Sequence, residues 1–382
     1  MAASRIIYFS RDYTPHDFRF LSVLAESPYE AAYLRLENNG QSLEKRPLPA
    51  KVVEIPWDGG KGLVNWRRGM ELLPALRRII RTYRPHLIHA GPIQRPALMA
   101  ALVGFHPLVS MSWGYDLIAD AWKNAVWKLA THYTLKQSDW LIADCQAVRK
   151  LAVKYGMNSD RVTVFPWGVD LGTFSPLPAG VRKSDQSLRV SLGWREDNFV
   201  LLSARTWATL YGIEELAFAF VKAFQRCPSL RLLMLGTGPL ASRIQDIFKK
   251  GLGELTEKVV YFAGQVPEEK LVAYFQAADL YVSASHSDGS SITLLQALAC
   301  GCPALVSNIP GNQEWVMPNT NGWWFRVGDA DDLCEAILHA WHRSAALPQM
   351  GKAARQLAEQ YADWKQHAQQ LLNVYEHVLH GQ

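Results

Sequence analysis

The residues best suited to chemistry lie in the stretch 285–307, where a polar loop runs into an apolar helix and then a short strand. Asp288 lies in the loop, and Ser290 or Ser291 is placed to cap a helix that starts at Ile292. The start of a helix presents unpaired N–H groups and a partial positive charge, which suit an anion such as a phosphate. The pattern therefore predicts an anion site at the start of this helix.

Gln296 lies eight residues after Asp288, more than one turn inside the predicted helix. Its amide could hydrogen-bond a diol if the side chain faces a ligand. The alternative interpretation is a capped core helix whose Gln296 meets solvent. The spacing alone is compatible with both.

The whole stretch resembles the signature of the family-4 type retaining glycosyltransferases. That signature is Glu-Gly-Phe-Gly, a second Glu eight residues after the first, and then Ala-x-Ala-x-Gly-x-Pro-Val. Asp288 takes the place of the first Glu and Gln296 that of the second. The resemblance implies an α/β protein of the GT-B fold, with two doubly wound Rossmann-like domains facing a central cleft. The positions that match as they stand are Gly289, Ala297, Ala299, Gly301 and Pro303.

The same resemblance implies roles for these residues. In that family the loop and the helix start hold the donor sugar and diphosphate, and the second Glu binds the ribose hydroxyls. Asp288 would then hold donor sugar hydroxyls, and Gln296 would hold the ribose without the charge of a Glu. The donor-binding residues implied here are Asp288, Gly289, Ser290, Ser291, Ile292 and Gln296.

A cation follows the strand predicted over 199–203. The family has an Arg and then a Lys before a Gly at this place, and both grip the donor diphosphate. Arg205 matches, whereas Tyr211 stands in the place of the Lys, with one extra residue between them. Arg offers a bidentate grip on phosphate that Tyr cannot supply. We expect Arg205 and the helix start to stabilise the departing diphosphate; the alternative for Arg205 is a surface salt bridge.

Two further turns complete the predicted donor side. Gly236 begins a Gly-Thr-Gly-Pro turn between a predicted strand and a predicted helix. In related enzymes the backbone of the segment that contains Gln265 and Val266 here contacts the nucleobase. Backbone contacts do not depend on side chains, so the segment does not predict which base is bound.

The first candidate on the acceptor side is the loop after the strand predicted over 5–10. In doubly wound folds this loop lines the ligand crevice. His16 and Asp17 lie in it, just before a helix predicted over 18–25. We expect both to face the cleft. The alternative is that Asp17 caps the helix and His16 meets solvent.

The second acceptor-side candidate is Trp113-Gly114-Tyr115-Asp116, after the strand predicted over 108–112. It resembles the family's loop of a Gly with an Asp two residues later, with Trp113 in the place of a His. Asp116 could accept a hydrogen bond from a sugar hydroxyl; alternatively it caps a helix predicted through 121–135. The candidate catalytic residues are Arg205, Asp288, Asp116 and His16. The helix residues expected mostly in the core are Trp122, Val126, Trp127, Ala130 and Tyr133.

The most basic element is predicted over 61–84, with Leu72 and Leu76 on its apolar face. The ordinary explanation of such a charge run is a solvated helix face. The alternative is a patch that contacts an anionic membrane surface or a lipid-pyrophosphate acceptor. Its cations are Lys61, Arg67, Arg68, Arg77, Arg78, Arg81 and Arg84, opposed only by Glu71.

The length of 382 residues suggests two domains. We predict an acceptor-binding domain over 1–175, a linker over 171–187 and a donor-binding domain over 188–361. A final helix, over about 362–382, is expected to pack back on the first domain. Residues 1–170 hold 22 Lys and Arg against 15 Asp and Glu, whereas the rest hold 18 against 20. The first domain is therefore the one expected to meet something anionic.

The composition also limits the classes of function. Five scattered cysteines offer no zinc pattern, and the Asp triplet at 329–332 is explained by a helix start. We therefore expect no metal, no other cofactor and no nucleic acid partner. We expect no signal peptide, because the first apolar run is predicted as a strand over 5–10, and the longest uncharged run, 96–115, contains two Pro and two Gly. A cytoplasmic location is expected, with peripheral contact at the inner membrane face as an option.

The resemblance implies a retaining hexosyltransferase of polysaccharide or glycolipid biosynthesis. The donor would be a UDP- or GDP-type sugar, and the acceptor a hydroxyl of a glycan, a lipid-linked molecule or a small molecule. One alternative is a nucleotide-sugar-binding or scaffolding protein with weakened catalysis, because Gln296 and Tyr211 depart from the family pattern. The other is a sugar-nucleotide epimerase of the same fold.

Overall fold

The computed structural model describes residues 3–38, 40, 44–178, 180–181 and 187–381. Their contacts divide the chain into unit 1 (Met1–Trp167 and Lys365–Gln382) and unit 2 (Gly168–Trp364). Part of the predicted linker, residues 179 and 182–186, lies outside the described residues.

Unit 1 is built on a parallel sheet, with seven strands among its described residues. They are β1 (Arg5–Ser10), β2 (Glu30–Arg35), β3 (Val53–Glu54), β4 (Leu87–Gly91), β5 (Leu108–Met111), β6 (Trp140–Ala143) and β7 (Val162–Val164). Their order across the sheet is β3-β2-β1-β4-β5-β6-β7. The chain moves outward from β1 and then returns to place β4 beside β1. The switch point, where doubly wound sheets bind ligands, therefore lies at the carboxyl ends of β1 and β4.

Helices connect these strands, and their apolar faces pack on the sheet. Leu72 and Leu76 of α2, for example, share a buried cluster with Ile7 and Phe9 of β1. The helices before the unit boundary are α1 (Pro15–Glu26), α2 (Trp66–Tyr83), α3 (Leu98–Leu102), α4 (Tyr115–Ile118), α5 (Ala125–Gln137) and α6 (Gln146–Lys154). Short helical turns lie at Ile93–Ala97, Asp120–Trp122 and Ser159–Arg161.

Unit 2 repeats the plan with a six-stranded parallel sheet in its described part. The strands are β8 (Phe199–Ala204), β9 (Leu230–Leu235), β10 (Val260–Gly264), β11 (Leu280–Ser283), β12 (Ala304–Ser307) and β13 (Gly322–Phe325). Their order is β10-β9-β8-β11-β12-β13. The switch point of this unit therefore lies at the carboxyl ends of β8 and β11.

The sheet of unit 2 is packed between two buried clusters. Phe220 of α8 lies in one cluster, and Leu294 of α12 lies in the other. The helices are α7 (Ser187–Ser191), α8 (Ile213–Arg226), α9 (Ala241–Leu252), α10 (Thr256–Val259), α11 (Glu268–Ala277), α12 (Ile292–Ala299), α13 (Pro310–Gln313), α14 (Ala330–His342) and α15 (Leu347–Tyr361). Short turns lie at Thr209–Tyr211, Gly253–Leu255 and Ser344–Ala346.

The last helix, α16 (Trp364–His380), packs against the sheet of unit 1. The hydroxyl of Tyr375 lies 2.6 Å from Nδ1 of His89 in β4, and both side chains are buried. The ring of His377 lies 4.7 Å from that of Trp140 in β6. This is the return of the chain that was predicted for the final helix.

The predicted α/β class with doubly wound domains is confirmed, but some elements differ. Strand β2 was not predicted, and β3 is short, with only Val53–Glu54. The helix expected through 121–135 starts at Ala125, where Asn124 caps it. The first unit ends before the predicted 175, because Val169 pairs with Asp363 and Arg355 donates to the carbonyl of Phe174.

Within the described part of the chain, no helix combines the length and the hydropathy needed to cross a bilayer.

Candidate functional site

The switch point of unit 2 brings the predicted donor residues together. Arg205 follows β8 directly, and the loop 284–291 joins the neighbouring strand β11 to α12. Because parallel strands end at the same edge of their sheet, a residue after β8 and a loop after β11 meet there.

Arg205 is the centre of this site. Its Nη2 donates to Oδ2 of Asp288 at 2.6 Å, and its Nη1 donates to Oγ of Ser291 at 2.6 Å. A longer contact of 3.4 Å joins Nη1 to Oγ1 of Thr293. The side chain is largely buried, so this is not the surface salt bridge that we considered for Arg205. A charge-assisted pair of this kind fixes the orientation of the guanidinium.

Tyr211 covers the same guanidinium. The Arg205 Cζ lies 4.2 Å from the centre of the Tyr211 ring, which is a cation–π contact. Gly212 follows with φ of 58°, and a Cβ there would lie 2.0 Å from the carbonyl oxygen of Ala284. Only glycine fits this close approach, so the start of α8 is held against the β11 loop.

The electrostatics keep Arg205 charged. Burial lowers the pKa of its guanidinium, but the charge of Asp288 and contacts with Tyr281 and Tyr211 outweigh this effect and raise the pKa. Burial raises the pKa of Asp288, an effect that the Arg205 charge opposes. The site therefore presents a permanent cation whose charge is balanced by an adjacent carboxyl.

The start of α12 faces this pair. Ser291 is its N-cap residue, but its hydroxyl bonds to Arg205, and no capping bond from this side chain occurs in the described structure. The prediction that Ser290 or Ser291 caps the helix with its side chain is therefore wrong. The Ser290 hydroxyl instead accepts from Nε1 of Trp315 at 2.9 Å. The start of α12, where helix N–H groups can bind an anion, therefore lies beside Arg205.

The backbone of the loop is held by close packing. A Cβ on Gly311, at the start of α13, would lie 2.5 Å from the carbonyl oxygens of both Asp288 and Gly289. Any larger residue at this position would displace the loop that carries Asp288.

Gln296 lies inside α12, and only 3% of its surface is exposed. The alternative in which this side chain meets solvent is therefore wrong. Its Oε1 has no hydrogen-bond partner among the described residues. A buried acceptor without a donor is costly, and a ligand hydroxyl would satisfy it. The ribose-binding role of Gln296 stays a prediction.

Two turns lie on the same sheet edge, after β9 and β10. Gly236 has φ of 94°, and its N–H donates to the carbonyl of Gly264 at 2.7 Å. A Cβ on Gly236 would lie 2.5 Å from the carbonyl oxygen of Arg205, so this turn packs directly on the cation's backbone. Gln265 is exposed and Val266 is half-buried. Their contact with a nucleobase stays a prediction.

Sequence reasoning missed several members of the site. Nε2 of His286 lies 2.9 Å from Oε1 of Glu215, which joins the β11 loop to the first turn of α8. The Tyr281 hydroxyl lies 2.8 Å from Oγ1 of Thr293. The one usable signal was position: these residues lie in β11, in the loop after it, or in the first turns of α8 and α12. Only the strand order makes these segments neighbours.

The predicted acceptor residues lie at the switch point of unit 1. His16 is half-buried, and its ring meets that of Trp113 edge-on, with centres 5.6 Å apart. The structure thus brings together a residue after β1 and a residue after β5. Burial lowers the pKa of His16 to about 4, so the imidazole is neutral at pH 7.

Asp17 is buried and takes part in the cap of α1, whose N-cap residue is Thr14. Its Oδ2 accepts from the backbone N of Thr14 at 2.8 Å, and its Oδ1 accepts from the hydroxyl of Tyr8 at 3.1 Å. The Thr14 hydroxyl faces the N–H of Asp17 in return, which completes a capping box. The arrangement is the one that the alternative interpretation described for Asp17. Contact with a ligand stays a prediction.

Asp116 is also fully buried. Its Oδ1 accepts from the Ser112 hydroxyl at 2.6 Å and from the N–H of Trp113 at 3.1 Å, and its Oδ2 accepts from the N–H of Ile93 at 2.9 Å. It does not cap α5, where Asn124 does so. Asp116 therefore ties the loop after β5 to the turn after β4, and its contact with a sugar hydroxyl stays a prediction.

Among the described residues, no three His, Cys, Asp or Glu side chains are grouped so that they could hold an ion. Asp329, the first of the triplet at 329–332, instead caps α14 by accepting from the N–H of Asp332 at 2.9 Å.

Family models match both units. Residues 184–357 match the model described as "Glycosyl transferases group 1", and residues 19–173 match "Glycosyltransferase Family 4". The first match contains Arg205, Asp288 and Gln296, and the second contains Asp116. His16 and Asp17 lie outside both matched ranges.

Curated relatives are glycosyltransferases. The chain is 29% identical over 241 residues to the D-inositol 3-phosphate glycosyltransferase of Paenarthrobacter aurescens. This alignment covers 61% of this chain and 55% of the relative. It is 26% identical over 206 residues to the alpha-monoglucosyldiacylglycerol synthase of Streptococcus pneumoniae, over 54% of this chain and 45% of the relative. The chain thus spans about half the length of these relatives.

A solved structure matches over almost the whole chain. It is that of Anabaena Alr3699/HepE in complex with UDP, with a TM-score of 0.76 and 20% identity, over 97% of this chain and 99% of that one. The same protein has been solved with UDP-glucose. At this identity the likeness concerns the fold, and it agrees with the two doubly wound sheets described above.

Proposed function

The chain belongs to the family-4 type glycosyltransferases of the GT-B fold, and we propose that it moves a sugar from a nucleoside-diphosphate sugar to an acceptor hydroxyl. The bond between the anomeric carbon and the diphosphate oxygen breaks, a bond to the acceptor oxygen forms, and the proton of the acceptor hydroxyl passes to the departing diphosphate. Negative charge grows on the departing diphosphate, so fixed donors aimed at it lower the barrier.

The observation that carries this proposal is the placement of Arg205. It lies at the switch point of unit 2, within 2.6 Å of Ser291, which begins α12. A guanidinium and the N–H groups at a helix start together make a site for a diphosphate. Asp288 and Gln296 flank this site and are the residues proposed for the donor sugar and the ribose.

The donor is proposed to be of the UDP type, with GDP-type donors as the alternative. The likeness to a structure solved with UDP and with UDP-glucose supports UDP. We further propose that the anomeric configuration is retained, so that the acceptor oxygen bonds on the face from which the diphosphate leaves. The match of the stretch 285–307 to the signature of the retaining family supports this.

The acceptor is proposed to be a phosphorylated polyol or a lipid-linked molecule, bound by unit 1. Relatives named for inositol 3-phosphate and for a glucosyl-diacylglycerol support these two classes. The helix α2 presents exposed cations to solvent, including Arg77, Arg78 and Arg81, over a buried face with Leu72 and Leu76. These charges are a candidate contact for the phosphate of such an acceptor or for an anionic membrane.

A nucleotide-sugar-binding protein with weakened catalysis is the second candidate. It is favoured by one contact, the stacking of Arg205 on Tyr211, which occupies the place where the family has a second cation. A site with less positive charge holds a departing diphosphate less strongly.

A nucleotide-release assay distinguishes these functions. The purified chain is incubated with UDP-glucose, UDP-galactose, UDP-N-acetylglucosamine and GDP-mannose, each with inositol phosphate, with diacylglycerol in vesicles, or with no acceptor. We expect nucleotide release that depends on one donor and one acceptor, and a product whose anomeric proton, seen by NMR, shows retention. Tight binding of a donor without turnover on any acceptor would favour the binding protein, and conversion of the donor alone would favour an epimerase.

Replacing Arg205 tests the site itself. Arg205→Ala should lower kcat/KM on the order of 100- to 1,000-fold, as loss of a fixed donor to a departing anion does. Arg226→Ala is the matched control, because Arg226 lies in the same unit and pairs with Glu335 at the exposed surface. Equal activity in both variants would show that Arg205 does not contribute to catalysis.

A further inference from the structure

Helix α5 does not bury the face that its sequence suggests. Its packed side is made of small or polar residues and one leucine: Ala130, Thr131, Thr134 and Leu135. The larger apolar residues point outward, with exposed fractions of 59% for Val126, 69% for Leu129 and 38% for Tyr133. Trp122, in the turn before the helix, is 49% exposed. The prediction that Trp122, Val126 and Tyr133 belong to the core is therefore wrong.

Three of these outward residues share one side of α5, and Trp122 lies just before its start. Val126, Leu129 and Tyr133 recur at steps of three and four residues, which places them on one side of a helix. We call Trp122, Val126, Leu129 and Tyr133 the α5 face. Exposed apolar patches of this kind on a soluble surface mark a site of interaction.

The charge around the α5 face is positive. The sequence of α5 has no Asp or Glu, and its Lys128, His132 and Lys136 are exposed. The Lys154 ammonium lies 4.9 Å from the centre of the Trp122 ring. Exposed aliphatic and aromatic residues among lysines are the composition of segments that lie in the interface of an anionic bilayer.

The surface continues toward α2. The ring of Trp127 meets that of Trp66 edge-on, with centres 5.9 Å apart, and Trp66 and Met70 are exposed at the start of α2. Trp66 and Met70 also line a shallow groove whose apolar wall includes Leu98 and Leu102. The exposed apolar surface therefore extends to the start of α2.

We propose that the α5 face docks on the surface of an anionic lipid bilayer. The apolar side chains would enter the interface, while Lys128, Lys136 and Lys154 would contact the lipid phosphates. This goes beyond the proposed function and locates the contact on α5 rather than on the basic face of α2. A second copy of the chain is a poorer occupant, because a two-fold interface would bring the same lysines of both copies together.

Vesicle sedimentation with the full chain, without donor or acceptor, tests this docking. We expect binding to vesicles of phosphatidylcholine with phosphatidylglycerol, and much weaker binding to phosphatidylcholine alone or in high salt. The double variant Val126→Asp with Leu129→Asp should bind at least about tenfold more weakly, because it loses apolar insertion. Lys128→Gln and Lys136→Gln should each weaken binding roughly fivefold.

Two matched variants complete the test. Leu255→Asp replaces another exposed leucine, 45% exposed, in unit 2 and should bind as the unaltered chain does. Arg78→Glu with Arg81→Glu changes the basic face of α2. Loss of binding in the α5 double variant supports the proposal whatever the α2 variant does, provided that thermal midpoints are unchanged.

Three results would overturn the proposal. The first is that the unaltered chain does not sediment with anionic vesicles. The second is that the α5 double variant binds as well as the unaltered chain, including the case in which only the α2 variant loses binding. The third is that the chain is a dimer in solution that the α5 double variant converts to a monomer. None of these measurements depends on glycosyl transfer, so this proposal and the proposed function can fail separately.

Discussion

The guanidinium of Arg205 and the carboxylate of Asp288 lie 2.6 Å apart at the carboxyl edge of the unit 2 sheet. The cation offered to a diphosphate is thus already paired with an anion. A free nucleoside diphosphate would meet the negative charge of Asp288, whereas a sugar attached to the diphosphate could donate hydroxyl hydrogens to it. The pair can therefore favour a nucleotide sugar over the nucleotide that is left after transfer.

Asp288→Asn tests this discrimination. Removing a buried negative charge beside the phosphate site should tighten UDP binding about tenfold. UDP-glucose should gain less, because Asn is the weaker acceptor for its hydroxyls. Isothermal titration of UDP and UDP-glucose into the unaltered chain and into the variant measures the ratio of the two affinities. An equal change in both affinities would show that Asp288 does not contact the sugar.

Gln296 supplies a second prediction, because its buried Oε1 lacks a partner in the described structure. Gln296→Leu should weaken UDP binding roughly five- to tenfold, the effect of one lost hydrogen bond. Gln296→Glu should tighten it by a similar factor, because a carboxylate accepts more strongly. UDP with deoxyribose is the control ligand, and Gln296→Leu should change its binding little if the ribose hydroxyl is the partner.

His16 and Asp17 are expected to behave differently. His16 is half-buried beside Trp113, so His16→Ala should lower turnover while the thermal midpoint stays unchanged. Asp17 holds the capping box of α1, and Asp17→Ala should lower stability by about 1 kcal/mol or more. Unchanged turnover in a folded His16→Ala variant would show that His16 is not a residue of the active site.

A pH dependence of stability follows from Asp17. Burial raises its pKa to about 6, above the value of about 3.9 in an unfolded chain. The carboxyl of the folded chain holds its proton more tightly than that of the unfolded chain. Its contribution to the free energy of unfolding is therefore fully present below about pH 4 and is lost as the pH rises to about 6. This contribution amounts to about 3 kcal/mol.

The variant Asp17→Asn isolates this contribution. The thermal midpoint of the unaltered chain should fall relative to that of Asp17→Asn as the pH rises from 4 to 6, and the difference should be constant above that. Asp160→Asn is the control, because it makes the same substitution at an exposed position of the same unit. A pH-independent difference for Asp17→Asn would contradict the raised pKa.

Local signals made much of this fold predictable. Apolar runs between glycines and prolines identified most strands, and the stretch 285–307 was recognised because its loop, helix and turn follow each other directly in the chain. Strand β2 was missed because its sequence, EAAYLR, contains two alanines and begins and ends with a charged residue, and alanine and glutamate are uncommon in strands. It becomes a strand through pairing with β1, a partner that lies 25 residues away in the register.

The sequence by itself therefore determined the class of the protein, its family signature and the candidate donor residues, since these depend on neighbours along the chain. Only the tertiary structure decided that Arg205 meets Asp288, 83 residues away, because that contact exists only when β11 pairs with β8. It also decided that Gln296 is buried and that Leu129 is not. Periodicity shows that a helix has an apolar side, but the packing partners determine which side is buried, and α5 packs through Ala130 and Thr134.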